Sequence, residues 1–166
     1  MKYVFLLMML TVQQVTAQIP RNSAGTFEYS RVVPEDTTSI DLLRERAKTF
    51  FNQPFLVHWT SVSNNEGNGE YVTGKGYVTI RFKNHYSSKR AIPVLLQLSI
   101  RVKEGSFQYT INQLTVDQKD TISFPLEEKP GEVEGATYDR LLKKTHEQII
   151  FVIDWLKRHM EDDRGI

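Results

Sequence analysis

Val94-Leu95-Leu96-Gln97-Leu98-Ser99-Ile100-Arg101-Val102 places an apolar side chain at every second position: Val94, Leu96, Leu98, Ile100 and Val102. Gln97, Ser99, Arg101 and the following Lys103 fill the other phase, the period-two signature of a strand with one buried face. The preceding stretch repeats it. Val72, Gly74, Gly76, Val78, Ile80 and Phe82 alternate with Tyr71, Thr73, Lys75, Tyr77, Thr79, Arg81 and Lys83. Downstream, Lys103-Glu104-Gly105-Ser106 is a tight hairpin signal. Phe107, Tyr109 and Ile111 then open a further strand in phase, but Leu114 and Val116 fall on the opposite parity. A bulge near Asn112 or Gln113 is required if both sets are buried. Gly69 to Val116 thus reads as an antiparallel meander, and the other segments are placed by what they can cover on it.

Upstream, Thr26 to Val33 alternates Phe27, Tyr29 and Val33 against Glu28 and Ser30; Pro34 stops it and Arg31 marks it as an edge strand. Asp36 to Ser39 supplies helix N-cap side chains, and Ile40, Leu43, Ala47, Phe50 and Phe51 recur at helical spacing up to Asn52 and Pro54. The opposite face, with Asp41, Arg44, Glu45 and Lys48, is solvated and pairs acids with bases one turn on. Phe55 to Val62 is a short strand whose buried phase stays open, because Val57 and Trp59 compete with Leu56 and Val62. Residues 63–69 and Asn84 to Arg90 are turns by composition. Asp117 to Gly135 is irregular, with Ile122, Phe124 and Leu126 available for one more edge strand. Thr137 to Met160 is a long helix: Leu141, Leu142, Thr145, Ile149, Val152, Ile153, Leu156 and Met160 form its stripe, which Ile150, Phe151 and Trp155 are expected to widen. The fold class is α+β, an antiparallel sheet of about five strands with two helices on one face, in the order β-α-β-β-β-β-α.

A chain of 166 residues with 40% apolar content suits one core. Lys2 followed by the apolar run Tyr3 to Val12 and the Val15-Thr16-Ala17 site reads as a secretory signal cleaved after Ala17. That run is too short to span a bilayer. The expected organisation is a signal peptide at 1–17, a flexible lead at 18–25, a single α+β domain at 26–161 and a frayed tail at 162–166. Removing Lys2 leaves 20 basic and 20 acidic residues (21 minus 1, against 20), a neutral balance with no global pull toward nucleic acid or anionic membrane. The chain has no cysteine, which excludes disulfides, thiol catalysis and thiolate metal sites. Export without disulfides fits a bacterial periplasmic or secreted protein.

Motifs of chemistry are sparse. Gly69-Glu70-Tyr71-Val72-Thr73-Gly74-Lys75 has the body of a P-loop, but Gly76 stands where a magnesium-ligating hydroxyl is needed and a strand follows where a helix N-terminus should hold phosphate. Gly74 and Gly76 are better read as positions where a neighbouring element approaches the buried face. His58, His85, His146 and His159 lack metal-ligand spacing, and no serine sits in a GxSxG elbow. The pairs Glu127-Glu128 and Asp162-Asp163 read as solvated charge. No cofactor and no metal is expected. The constellation that stands out is the outward phase of the meander: Tyr71, Lys75, Tyr77, Arg81 and Arg101, with Gln97, Ser99, Gln108 and Thr110. Basic groups interleaved with tyrosines on a sheet face suit a phosphate backbone, an acidic peptide or sugar rings.

The Arg46-Ala47-Lys48-Thr49-Phe50-Phe51 helix end and the Gly74-Lys75-Gly76-Tyr77 strand, with the element order and the signal, resemble an uncharacterised family of exported proteins of gut-type Gram-negative bacteria, a domain of unknown function. The resemblance implies a fold like one half of the TATA-binding protein and an exported location, and it implies no activity. The functional expectation is a non-catalytic binding or envelope-interaction module using the open sheet face. Its partner is an unknown protein, peptide or glycan of the cell envelope, with no nucleic acid and no membrane insertion after signal removal. The alternative is a small periplasmic hydrolase whose acid-base pair is invisible in sequence.

Overall fold

The three alternating stretches form the long central strands of the sheet, β3 (Tyr71–Phe82), β4 (Arg90–Lys103) and β5 (Ser106–Val116). The computed structural model describes residues 19–53, 56–65, 71–82, 90–117, 123–131 and 133–161. The expected signal segment, the tail at 162–166, most of the Asn84 to Arg90 turn and Ile122 lie outside the described residues. The full element order is β1 (Tyr29–Pro34), α1 (Ile40–Phe50), β2 (His58–Asn65), β3, β4, β5, β6 (Phe124–Pro125) and α2 (Gly135–Glu161). The strands pair antiparallel in the order β1-β5-β4-β3-β2, and the two-residue β6 also pairs with β5. Val72, Val78, Ile80, Val94, Leu96, Leu98 and Ile100 all point into the core, as the alternation requires.

The parity slip in β5 is resolved by a bulge. Leu95 stands opposite Thr115 and Gln97 opposite Asn112, so Gln113 and Leu114 together face Leu96. Gln113 takes a positive φ of 55°, and in consequence Ile111 and Leu114 are both buried. A second irregularity settles the open phase of β2. The register shifts between Trp59 and Ser61, which puts Trp59 opposite Gly76 and Val62 opposite Gly74 on the same inner face. The side chain of the extra residue, Thr60, donates to the Lys75 carbonyl at 3.0 Å. β2 runs on to Asn65, into the segment expected to be a turn, because its polar residues lie on an exposed sheet edge. The lead is also more ordered than expected. Ile19 is buried, Arg21 bridges to Phe27, and Asn22 Oδ1 accepts from Ala24 N and Thr26 N.

Both helices cover the inner face. α1 is capped by Ser39, whose hydroxyl accepts from Leu42 N at 3.4 Å, and buries Leu43, Ala47 and Phe50; Asp41 and Arg44 pair at 2.7 Å on the solvated side. Arg46, an unmarked member of that helix, is buried. It donates through Nη1 to the Met160 carbonyl at 2.5 Å, one of the last carbonyls of α2, where a cation also complements the helix dipole. α2 buries Tyr138, Leu141, Thr145, Ile149, Val152, Ile153, Leu156 and Met160. Ile150 and Phe151 do not widen this stripe and are exposed, since on a helix of 3.6 residues per turn they fall outside the arc of the buried positions, one past each edge. Trp155 does reach α1, its ring 4.6 Å from that of Phe50.

The glycines of β3 decide where α1 ends against the sheet. A Cβ on Gly74 would collide with the ring of Phe51 and lie 3.0 Å from Trp59 Cε3. One on Gly76 would lie 2.5 Å from the His58 carbonyl oxygen and 3.0 Å from Val57 Cγ1. Phe51 and Trp59 pack edge to face at 4.8 Å in the space so left.

Gly76→Ala should therefore destabilise the domain by about 1–3 kcal/mol, and by more than Gly74→Ala, because the obstacle at Gly76 is backbone and cannot rotate away. Thermal melts of the two variants check the ranking. Ile153→Asp, which buries an unpaired carboxylate in the core, should unfold the chain at ordinary temperature, and an unchanged melt would show that the α2 stripe has been misassigned.

Candidate functional site: the outer face of the sheet

With both helices on one side, the outward phase of each strand faces away from the core. Tyr71, Lys75, Arg81 and Arg101 are exposed there and Tyr77 is half-buried. The register states which of them meet. Tyr71 is directly opposite Arg101, and Arg101 opposite Gln108. Lys75 is opposite Gln97, which is opposite Asn112. Tyr77 has His58 on one flank, the rings stacked at 5.0 Å and 25°, and Leu95 on the other. Arg81 does not join them. It lies opposite Ala91, ten residues along β3 from Tyr71, or roughly 34 Å at 3.4 Å per residue. Arg81 and Arg101 therefore cannot grip one small ligand together.

Between the Tyr71 row and the Lys75 row lies one of which the outward constellation read from the sequence included only Ser99 and Thr110. Ser63, Thr73, Ser99, Thr110 and Ser30 fall in register across five strands, and every one carries a hydroxyl. Thr73 Oγ1 and Ser99 Oγ are 3.0 Å apart, as are Ser30 Oγ and Thr110 Oγ1, and Gln108 Nε2 donates to Ser30 at 3.3 Å. The row emerges only from the pairing, because no stretch of sequence holds its members together.

Charge is distributed with equal regularity. The described strands contain Arg31, Lys75, Arg81, Arg90, Arg101 and Lys103 but no Asp and no Glu. Lys75, Arg81, Arg101 and Lys103 are on the outward phase. Strand propensity disfavours Glu and Lys to a similar degree, so it does not account for the single sign. The neutral total hid this; counting charge by element would have shown it.

Elsewhere, polar groups serve the fold. Glu127 is not simply solvated, since its Oε1 accepts from Phe27 N at 2.6 Å and holds the approach to β1. His159 Nε2 lies 3.0 Å from the Arg46 carbonyl oxygen and 3.2 Å from Thr49 Oγ1, which ties α2 to α1. Among the described residues no three His, Asp or Glu side chains converge on a possible metal position.

A five-stranded antiparallel face backed by two helices defines a half-TATA-binding-protein-like α+β domain. Residues 29–117 match a family model described as a domain of unknown function, DUF4468, with TBP-like fold, and the chain belongs to that family. Two solved structures share the architecture. A DUF4468 family protein from Bacteroides ovatus ATCC 8483 superposes with a TM-score of 0.64 at 14% identity, over 92% of this chain and 95% of that one. A TBP-like protein from Parabacteroides distasonis ATCC 8503 does so at 0.59 and 11%, over 87% and 97%. At such identities the likeness is one of fold. No curated protein matches the sequence.

Perturbed titrations, often a mark of active sites, fall beneath the helices. Burial pushes the phenol of Tyr29 far above the ordinary tyrosine range, and its hydroxyl meets His146 Nδ1 at 2.8 Å. Burial likewise raises Tyr109, partly offset by Arg31, and Tyr138, whose hydroxyl donates to the Leu126 carbonyl at 2.5 Å. These are core tyrosines bracing α2, β1 and the β6 segment. Above about pH 10 the unfolded chain ionises its phenols while the folded chain keeps them neutral, so stability must fall as pH rises further. The melting temperature should decline from about pH 10 upward, and Tyr29→Phe should flatten that decline while costing about 0.5–1.5 kcal/mol near neutrality for the bond to His146. An alkaline decline equally steep in the variant would remove Tyr29 as its source.

Proposed function

We propose that the protein is an exported, non-catalytic binding module that engages a component of the cell envelope through the outer face of its sheet. The observation that carries this reading is a sheet face left open by both helices whose described strands present cations and no carboxylate. A face that served only as solvated surface gains nothing from segregating its charges, whereas one-signed faces raise the association rate of oppositely charged partners. The hydrolase alternative receives no such support: the strands hold no carboxylate, so an acid-base pair would have to be assembled wholly from helices and loops. The working patch is the cluster Tyr71, Lys75 and Arg101, with Tyr77 beside it and Arg81 at its far margin. Tyrosine supplies rigid contact area and arginine a planar fork for oxyanions.

The location follows from the Val15-Thr16-Ala17 site, and mass spectrometry of exported material should find Gln18 as the first residue. Intact Met1 in that material would overturn export by cleavage. For the binding face, Tyr71, Lys75 and Arg101 replaced together by Ala should change stability by no more than about 0.5 kcal/mol per site, yet remove retention of the protein on envelope fractions. Arg81→Ala alone should weaken retention less. Equal retention of the triple variant and the parent would show that the outer face is not used.

A further inference from the structure

Resting on that binding face, we infer that its occupant is an acidic polysaccharide lying across the strands along the hydroxyl row. The row spans five strands, about 19 Å at 4.8 Å per strand, and its floor is made of the short side chains Ser63, Thr73, Ser99, Thr110 and Ser30. The neighbouring rows stand roughly 7 Å to either side: Tyr71, Arg101, Gln108 and Val32 on one flank, Ser61, Lys75, Gln97 and Asn112 on the other. Over the central strands, short side chains between longer ones leave a trough perpendicular to the strands.

The trough's chemistry matches sugars better than other polyanions. Each hydroxyl can donate once and accept twice, so the bonded pairs Thr73–Ser99 and Ser30–Thr110 each keep a donor and several acceptors for a ligand. The Gln97 and Gln108 carboxamides also combine both roles, as sugar hydroxyls do. Tyr71 adds a ring against which the apolar face of a sugar can pack. Arg101 and Lys75 bring positive charge to the centre of the trough, one on each flank, while the Glu28 carboxylate, held by Asn22, lies two residues from Ser30 at its β1 end; two spaced cations suit a hydroxyl-rich chain with carboxylates at intervals. A nucleic acid carries a phosphate at every nucleotide and is held by denser arrays of cations. An extended acidic peptide draws its affinity from main-chain hydrogen bonds at a sheet edge. The backbone under the trough is already committed to the sheet ladder.

The test titrates the full mature chain with an oligomer of galacturonic acid, with its methyl ester, which keeps the hydroxyls and loses the charge, and with polyglutamate and oligothymidylate. Saturable binding of the free acid is expected. Esterification, or Lys75→Gln with Arg101→Gln, should weaken it about tenfold or more, the scale of a lost charge-assisted hydrogen bond. Thr73→Val with Thr110→Val, which keeps side-chain shape, should weaken it severalfold with the melt retained. Equal affinity for acid and ester, insensitivity to the Thr variant, absence of binding, or tighter binding of polyglutamate or oligothymidylate would each overturn the assignment. If no uronate binds while Lys75→Gln with Arg101→Gln still abolishes envelope retention, the polysaccharide is wrong and the binding face stands. If that variant keeps its retention, both fall.

Discussion

Phe51 and Trp59 rest on the backbone of β3 where Gly74 and Gly76 have no side chains, and the seating of both helices depends on that contact. A sheet of alternating residues normally holds a helix at side-chain distance. Here the missing Cβ atoms let two aromatic rings descend to the strand itself, the buried Phe51 contributing roughly 1.5–3 kcal/mol of transfer free energy and the half-buried Trp59 less. Phe51 is the residue that ends α1, so the packing also fixes where that helix stops. Phe50, its neighbour, turns the other way and meets Trp155 and His159 of α2. The end of one helix thereby locates the second.

The polar connections follow the same geometry. Once α2 lies beside α1, its C-terminal carbonyl at Met160 falls within reach of the buried Arg46, and His159 within reach of the Arg46 carbonyl and Thr49. At mid-helix, His146 meets Tyr29 of the edge strand, and near the start Tyr138 holds Leu126 and with it the short β6. A buried polar group without a partner costs on the order of 1–3 kcal/mol, so these pairs favour one placement of α2 over sliding alternatives with the same apolar burial. The stretch Arg46 to Phe51 thus acts at both levels, with its aromatic residues on the sheet and its arginine on the other helix.

Confining the helices to one face leaves the other uncovered by either helix. The other face keeps its own chemistry, with hydroxyls, carboxamides, tyrosines and cations arranged in register and no carboxylate in any strand. The helices carry mixed charge, with acids and bases on both α1 and α2, so the strands differ from them in holding cations without carboxylates.

The sequence by itself determined the strands and helices whose periodicity is long and uninterrupted. The alternation of β3 and β4, the bulge forced by the parity of Ile111 and Leu114, the Glu104-Gly105 hairpin and the inward stripe of α2 are local consequences of residue spacing. It also assigned Tyr71, Lys75, Tyr77, Arg81 and Arg101 to the outward phase. Tertiary structure alone decided the rest. The face on which Trp59 lies depended on an extra residue in β2, which no alternation could locate in a strand so short and polar. Arg46 is buried because a carbonyl more than a hundred residues away waits for it, and Ile150 and Phe151 are exposed because a single face of α2 meets the sheet. Separating Arg81 from Arg101 and aligning five hydroxyls from five strands required the register, since cross-strand neighbours are set by pairing and not by distance along the chain.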